Sequence, residues 1–323
     1  MNDIPKIDSH LHINFRGYDI SKINSLIKKN NLKKIWLHTW EEFCPNPDSY
    51  YLDLRPDDIL KAKENIDTKV HCFYAPDPYA GNIEKKIDYI INNGFSGCGE
   101  LKIRSKWKNQ ALEKFLDIIN YHKLPLLFHM ESSSVTKKER EIFGLDYILR
   151  KSHKINYLMQ CRKNFLLQNK ISYLNRKIMS LIFNIQNNLF SKSIVIPGYL
   201  DDIEGLDYCL SKFQNIKFIG HGPMFWKEIE KDATTHTEPS ENNSIVKLLK
   251  KHDNLYADLS AESGYFAISR NKQYSTNFIK TFQDKLLYGT DNFNLGLDKL
   301  IYSFGLINEV INKVFYKNAD DFL

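Results

Sequence analysis

The sequence predicts an α/β fold: a (β/α)8 TIM barrel with a helical insertion after the fifth strand. Eight short apolar segments of β character alternate with helical ones, which is typical of βα units and a parallel sheet. The 323 residues, 42% of them hydrophobic, are enough for one large core. We therefore predict a single domain, residues 1–323, whose surplus over the ~250 residues typical of this fold lies mainly in an insertion at 135–198.

The first five predicted strands follow one another at regular spacing, each with a helix or loop behind it. Pro56 is suited to the first turn of the second helix, and Gly94 ends the third. The predicted strands are 5–13, 33–39, 69–75, 95–103 and 124–130. The predicted helices between them are 19–30, one starting near Pro56, 82–92 and 109–121.

The alternation stops after Glu131 and resumes about sixty residues later. This gap is the predicted insertion. The remaining predicted strands are 216–220, 255–259 and 285–289. The remaining predicted helices are 201–212, 244–252, a mostly helical stretch at 262–282 and a closing helix at 297–314.

The insertion also carries the net charge of the chain. Residues 150–192 contain nine Lys and Arg and no acidic residue, which leaves 36 basic against 39 acidic residues elsewhere. Apolar residues in steps of three and four predict a helix at 171–189, and a second helix is predicted at 146–169. The apolar stripe of the helix predicted at 171–189 consists of Ile171, Leu174, Ile178, Leu181 and Ile185.

Three partners are possible for this insertion: the barrel itself, a second copy of the chain in a homodimer, or a membrane surface. Burying the apolar stripe contributes roughly 1.5 to 3 kcal/mol per side chain, whereas lipid contributes about 1 kcal/mol per nearby cation. We therefore expect a helical cap or a dimer contact, and membrane contact through 150–192 ranks below both. No motif predicts nucleic-acid binding.

The five cysteines are odd in number, widely spaced and without a CxxC pair. We interpret them as free, buried thiols in a reducing compartment. The N-terminus has no apolar signal segment, and no apolar run approaches the length of a membrane span. These observations predict a cytoplasmic protein.

Polar side chains end nearly every predicted strand. In the segment KIDSHLHI, His10 and His12 share one face of a strand, roughly 6.6 Å apart, so both imidazoles can converge on one metal ion. In a barrel the strand ends surround one mouth, where active sites of this fold lie. The set comprises His10, His12, His38, Glu100, Lys102, His129, His221, Asp258 and Asp291. For His38 and Asp258 a structural hydrogen bond is an equal alternative.

The order of these ligands resembles the amidohydrolase superfamily, with His-x-His on strand one, His on strands five and six, and Asp on strand eight. Four further stretches resemble its amidohydrolase-related (amidohydrolase 2) family of metal-dependent hydrolases and decarboxylases: GELK, KFIGHGPMFW, NLYADLSAESG and LLYGTDNF. The resemblance covers nearly the whole chain except the insertion. Met224 and Glu262 stand where we expect glycine in that family, which affects the wall of the pocket and hence the substrate.

The resemblance implies a divalent metal, zinc with manganese or iron as alternatives, held by His10, His12, His129 and Asp291. The ion would lower the pKa of its water from 15.7 to about 7, Asp291 would take the proton, and His221 would be the general acid or hold the oxyanion. If Glu100 bridges two metal ions, His129 and His221 would instead be ligands of the second ion.

Substrate binding is predicted for Lys102, with His38 and Arg104 as further candidates and Arg270 as a weaker one. Lys102 has the same strand parity as Glu100. We interpret Lys102 as a cation that binds a carboxylate of the substrate. The alternative is a carboxylated lysine that bridges two metal ions.

The predicted activity is hydrolysis of a C–N or C–O bond in a small anionic molecule. A non-oxidative decarboxylase is the alternative among enzymes. A non-catalytic binding or assembly protein that uses the basic insertion is the alternative outside them.

Overall fold

The computed structural model describes residues 4–41, 54–80, 82–103, 105–132, 198–227, 229, 238–240 and 242–323. Several predictions fall outside these residues. They concern Arg104, Cys44, Cys161, the basic segment 150–192, and the insertion helices at 146–169 and 171–189.

Eight parallel strands form two sheets, one ordered β1-β2-β3 and the other β4-β5-β6-β7-β8. Every pairing between neighbouring strands is parallel, as predicted. The strands are β1 (Lys6–Leu11), β2 (Leu32–Trp40), β3 (Lys69–Ala75), β4 (Cys98–Leu101), β5 (Leu126–His129), β6 (Phe218–His221), β7 (Leu255–Asp258) and β8 (Leu286–Leu287).

Helices follow the strands in the predicted order, and several begin at a residue whose side chain caps the first turn. Asp19, Asn109 and Asn243 each accept a hydrogen bond from a backbone N–H of their helix, which satisfies a donor that has no partner inside it. The helices are α1 (Ile20–Asn30), α2 (Pro56–Lys63), α3 (Ile83–Asn92), α4 (Gln110–Tyr121), α5 (Ile203–Lys212), α6 (Pro223–Lys227), α7 (Ser244–Lys251), α8 (Ala261–Ser269), α9 (Lys272–Thr281), α10 (Leu297–Ser303), α11 (Asn308–Asn312) and α12 (Asn318–Phe322).

The stretch 262–282 is mostly helical, as predicted, whereas the predicted closing helix 297–314 is wrong as a single element. The stretch 262–282 divides into α8 and α9, because Asn271 leaves the helical conformation and caps α9 by accepting from the N–H of Tyr274. The stretch 297–314 divides after α10, where Gly305 adopts a φ of 69° that a continuing helix excludes. Strand β8 is also shorter than predicted, with two residues instead of five.

The inner faces of the strands carry an apolar layer beneath a polar one. One apolar cluster collects a side chain from each of six strands together with Phe322 and Ala319 of α12; the six are Ile7, Trp36, Phe73, Leu127, Ile219 and Leu287. Alternate residues of a strand share a face, so the next inward residue after Leu127 is His129 and the next after Ile219 is His221. The strand register therefore places imidazoles directly above this apolar layer.

The two sheets meet at two hydrogen-bonded seams. Between β3 and β4, the N–H of Ser96 donates to Cys72 O at 2.7 Å and that of Tyr74 to Gly97 O at 3.2 Å. Between β8 and β1, the N–H of Ser9 donates to Tyr288 O at 2.9 Å. Both edges of the three-stranded sheet thus contact the five-stranded one.

The cysteines of the described part of the chain agree with the sequence-based expectation. Cys72, Cys98 and Cys209 are free and buried. Burial raises the pKa of the Cys72 thiol to about 11, which keeps it neutral. No helix among the described residues is both long and apolar enough to cross a bilayer.

Candidate metal centre

The carboxyl ends of the strands bring six of the predicted residues into contact. We call this set the ligand cluster: His10, His12, Glu100, His129, His221 and Asp291. All except Asp291 are buried, and the side chain of Asp291 is 15% exposed. The sequence order of the strands therefore assembles this set, although its members are up to 281 positions apart.

Three groups within the cluster have ligand atoms that all lie within 4.8 Å of one another. Two of them share His10, and two of them share Glu100. The groups are His10–His221–Asp291, His10–His12–Glu100 and Glu100–His129–His221. Among the described residues, no such group joins His129 to both His10 and His12, so the single-ion set stays a prediction and the two-ion alternative matches the observed spacing.

The carboxylate of Asp258 orients two of the imidazoles. His10 Nδ1 lies 2.7 Å from Asp258 Oδ2, and His221 Nδ1 lies 3.0 Å from the same oxygen. A carboxylate only accepts hydrogen bonds, so each of these contacts is a hydrogen bond when the Nδ1 atom carries the proton. In a neutral ring, the Nε2 atom of His10 or His221 then carries a lone pair, which is directed at the other members of the cluster.

The other two imidazoles of the cluster also have one nitrogen committed outside it. His12 Nδ1 donates to the carbonyl of His38 at 2.9 Å. His129 Nε2 lies 3.2 Å from Glu131 Oε2, while its Nδ1 lies 2.7 Å from Glu100 Oε1. A neutral His129 that donates to Glu131 presents the Nδ1 lone pair to Glu100.

This arrangement fits a divalent cation. The Nε2 atoms of His10 and His12 are 3.1 Å apart, and Asp291 Oδ1 is 3.3 Å from the second. Ligands about 2.0 to 2.2 Å from a tetrahedral zinc lie about 3.3 to 3.6 Å from each other. Lone pairs and carboxylates at such distances repel unless a cation or protons lie among them, and metal-bound histidines commonly donate their other N–H to a carboxylate or carbonyl.

The pKa shifts in the ligand cluster reflect an excess of hydrogen-bond acceptors over donors. Burial lowers the pKa of His12, but hydrogen bonds to Asp291 and Glu100 outweigh it and raise that pKa to about 9. Burial raises the pKa of Glu100 and of Asp291, but the adjacent imidazoles outweigh it and hold both below their usual values. Without a metal, the cluster thus retains a proton on an imidazole.

Hydrogen bonds between β1 and the segment that follows β8, which we call the clasp, hold the backbone of Asp291 in position. The N–H of Asp291 donates to His10 O at 2.7 Å. The hydroxyl and N–H of Thr290 donate to the buried carboxylate of Asp8, and Asn292 exchanges two hydrogen bonds of 2.8 Å with the backbone of His12. Asp291 and Asn292 both have positive φ, at 51° and 60°, which turns the chain sharply after β8.

Aromatic rings and a cation lie beside the ligand cluster. Trp40 and Phe15 each contact the ring of His12 edge-on, with centroids 4.9 and 5.5 Å away. Lys102 is largely buried, and its Nζ is 5.5 Å from the ring centroids of both Trp40 and Tyr199. The Lys102 cation thus lies near two aromatic rings beside the ligand cluster.

The remaining predicted residues differ in their positions. His38 is fully buried, and its Nε2 donates to Ser9 O at 2.9 Å, so this nitrogen has a structural hydrogen bond. Burial, followed by the charges of His10 and His12, lowers the pKa of His38 well below its usual value. Arg270 is exposed at the end of α8.

The hydroxyl of Ser260 also lies 3.2 Å from His10 Nδ1 and 3.1 Å from His221 Nδ1. Four residues in these contacts were not predicted: Asp8, Glu131, Ser260 and Asn292. Glu131 and Ser260 lie two positions after His129 and Asp258, so strand parity could have indicated both. Asn292 follows Asp291 directly, but its side chain bonds to a strand 280 residues away, and no local pattern reveals that.

The comparisons with known proteins agree with this architecture. No family model matches the chain, and no curated protein matches its sequence. The chain is similar to the crystal structure of a probable 2-pyrone-4,6-dicarboxylic acid hydrolase from Acinetobacter baumannii with citric acid bound (TM-score 0.56, 10% identity, 98% of both chains).

Two further structures are similar over 98% of both chains. One is an amidohydrolase from Burkholderia multivorans with bound HEPES, with a TM-score of 0.52 and 8% identity. The other is 5-carboxyvanillate decarboxylase from Sphingomonas paucimobilis, with a TM-score of 0.53 and 12% identity. At such low identity these likenesses concern the fold alone, and at that level the resemblance to the amidohydrolase-related proteins is confirmed.

Proposed function

We propose that this protein is a metal-dependent hydrolase of the amidohydrolase-related type. It cleaves a C–N or C–O bond, of the amide or lactone and ester kind, in a small anionic substrate. The observation that carries the proposal is the set of contacts that the imidazole nitrogens of the ligand cluster make. Each of its four imidazoles has one nitrogen committed to an outside acceptor, and its other nitrogen faces Glu100 or Asp291.

The proposed ligands are the six residues of the ligand cluster, for one or two divalent ions, with zinc as the expected metal and manganese or iron as alternatives. When bound there, such an ion lowers the pKa of water from 15.7 to about 7 and polarises a carbonyl. Nitrogen and carboxylate donors without a thiolate suit these metals.

Asp291 is the proposed general base. Its side chain is the most exposed of the cluster, so a substrate and a water molecule can approach it. Burial raises its pKa, but the neighbouring His10, His12 and His221 outweigh this and hold the pKa below the usual value, which leaves the carboxylate ionised and able to accept a proton. The clasp to β1 holds it at this position.

His221 is the proposed general acid when a single ion is bound. Burial lowers its pKa, but the hydrogen bond to Asp258 together with the charges of Asp258, Glu100 and Asp291 outweighs this and raises the pKa, which favours the protonated ring that a general acid needs. With two ions, Nε2 of His221 serves as a ligand instead. Lys102 is proposed to bind the negative charge of the substrate, and Arg104 remains a further candidate for that task.

We further propose that residues 1–323 form one closed (β/α)8 barrel in the cytoplasm. The seams between β3 and β4 and between β8 and β1 support closure, as does the cluster that joins side chains of six strands. The insertion at 135–198 is proposed to cap the barrel or to contact a second subunit.

The proposed hydrolysis can be tested with zinc-loaded protein and a panel of carboxylated lactones, esters and amides in 18O-labelled water. A hydrolase transfers one solvent oxygen to its product. We expect this label in any product formed, and we expect Asp291→Asn to abolish most of the turnover. Full turnover without the label would contradict the proposal.

A non-oxidative decarboxylase is the second candidate, because one of the similar structures is a decarboxylase. In this candidate, Lys102 is proposed to bind a carboxylate of the substrate. A decarboxylase releases carbon dioxide and takes a solvent proton at carbon. Deuterium at carbon together with carbon dioxide release in deuterated water would favour this candidate.

A further inference from the structure

Asp258, at the end of β7, is the most heavily bonded carboxylate near the ligand cluster. Its Oδ2 contacts His10 Nδ1 at 2.7 Å and His221 Nδ1 at 3.0 Å, and it also accepts the hydroxyl proton of Ser260. Its Oδ1 accepts the N–H of Ser260 at 3.0 Å. It is fully buried, so no solvent competes for these bonds.

The surroundings of Asp258 leave it no room to move. The indole N–H of Trp226 donates to its backbone carbonyl at 2.9 Å. A Cβ on Gly289 would lie 2.7 Å from Asp258 Oδ1 and 3.1 Å from the Cβ of His10, so only glycine permits this approach of β8. The carboxylate is therefore held in one orientation by groups outside the ligand cluster.

The two imidazoles that Asp258 contacts belong to one candidate ion-binding group with Asp291. A single carboxylate oxygen thus contacts two of the three side chains in that group. We propose that Asp258 is a positioning residue that fixes His10 and His221 together in the Nδ1–H tautomer and thereby directs both Nε2 lone pairs into the ligand cluster. The inference rests on the proposed function, since these lone pairs matter only where a metal is bound.

The substitution Asp258→Asn separates this role from simple space filling, because asparagine has the same shape. If the amide oxygen faces Ser260 N–H, the amide NH2 faces both imidazoles. An imidazole must then lose its Nδ1 proton to accept, and it carries the proton on Nε2 instead. If the amide group is rotated by half a turn, its NH2 group faces the N–H of Ser260, and two hydrogen-bond donors then face each other. Neither orientation satisfies all the partners.

The test uses the full chain with 15N-labelled histidine. Long-range 15N–1H spectra of the metal-free protein, at a pH above the raised pKa of His12, report which nitrogen of each neutral ring carries the proton. The signals are assigned with His10→Gln and His221→Gln variants. The second readout is the affinity for Zn2+ alone, measured by competition with a chelating dye.

The chain offers a matched control in Asp207, which bonds to His252 Nε2 away from the ligand cluster. Asp207→Asn neutralises an Asp–His pair in the same chemical way. It should change the spectrum of His252 and leave the tautomers of His10 and His221 and the Zn2+ affinity unchanged.

We expect Nδ1–H tautomers for His10 and His221 in the wild type and Nε2–H on at least one of them in Asp258→Asn. We also expect the Zn2+ affinity of this variant to fall by about 10- to 100-fold, the usual effect of losing an outer-sphere partner. Unchanged tautomers in Asp258→Asn would overturn the inference. Nε2–H tautomers in the wild type would do so even if the variant fails to fold. Nδ1–H tautomers in a wild type that binds no Zn2+ would support the assignment of Asp258 and refute the proposed function.

Discussion

Asn292 offers a quantitative test of the clasp between β1 and β8. Its side chain accepts from the N–H of His12 and donates to the carbonyl of His12, both at 2.8 Å, and the residue is 5% exposed. Replacing it with alanine leaves two buried backbone groups without partners, at a cost of about 1 to 3 kcal/mol each. Alanine at a φ of 60° adds about 1 kcal/mol. We therefore expect Asn292→Ala to lower the free energy of unfolding by about 3 to 7 kcal/mol.

Two further variants separate the contributions to this loss. Asn292→Gly removes the same hydrogen bonds but tolerates the positive φ, so it should be about 1 kcal/mol less destabilised than the alanine variant. Asn294→Ala changes an exposed asparagine of the same loop and should remain within about 0.5 kcal/mol of the wild type. Denaturant midpoints at equal m-values measure all three. Alanine and glycine variants as stable as Asn294→Ala would refute the clasp.

Three other predictions concern the ligand cluster. The affinity for Zn2+ should rise with pH up to about 9, because His12 must release its proton to bind the ion. Each pH unit below that value should weaken binding by about tenfold. An affinity that is flat between about pH 7 and 9 would contradict this. Asp291→Asn should retain substantial metal and lose roughly 10² or more of the turnover of any substrate found, measured as kcat, whereas near-native turnover would remove Asp291 as base. Glu131→Gln should weaken Zn2+ binding by about 10-fold through His129, measured by dye competition, and an unchanged affinity would show that Glu131 does not orient that ring.

Much of the site was predictable because it follows from strand periodicity. A parallel α/β chain places the carboxyl ends of its strands on one side, so the histidines and acids that end the apolar segments had to meet there. His10, His12, Glu100, His129, His221 and Asp291 lie together for that reason. The sequence order alone was sufficient for this prediction.

The parts that were missed depend on contacts between distant segments. The pairing of Asp258 with two imidazoles and of Asn292 with the backbone of His12 requires the positions of three strands at once. The sequence indicated that 262–282 is mostly helical without locating the boundary at Asn271, and it did not indicate the end of a helix before Gly305. A capping side chain and a positive φ decide where these helices begin and end.

The most direct test of the central claim is the metal content of the purified protein. Elemental analysis after loading with Zn2+ and removal of the excess should give one or two equivalents in the wild type. The double variant His10→Ala, His12→Ala should lose nearly all of this metal while its far-UV circular dichroism remains that of the wild type. Stoichiometric zinc in the folded double variant would contradict the account.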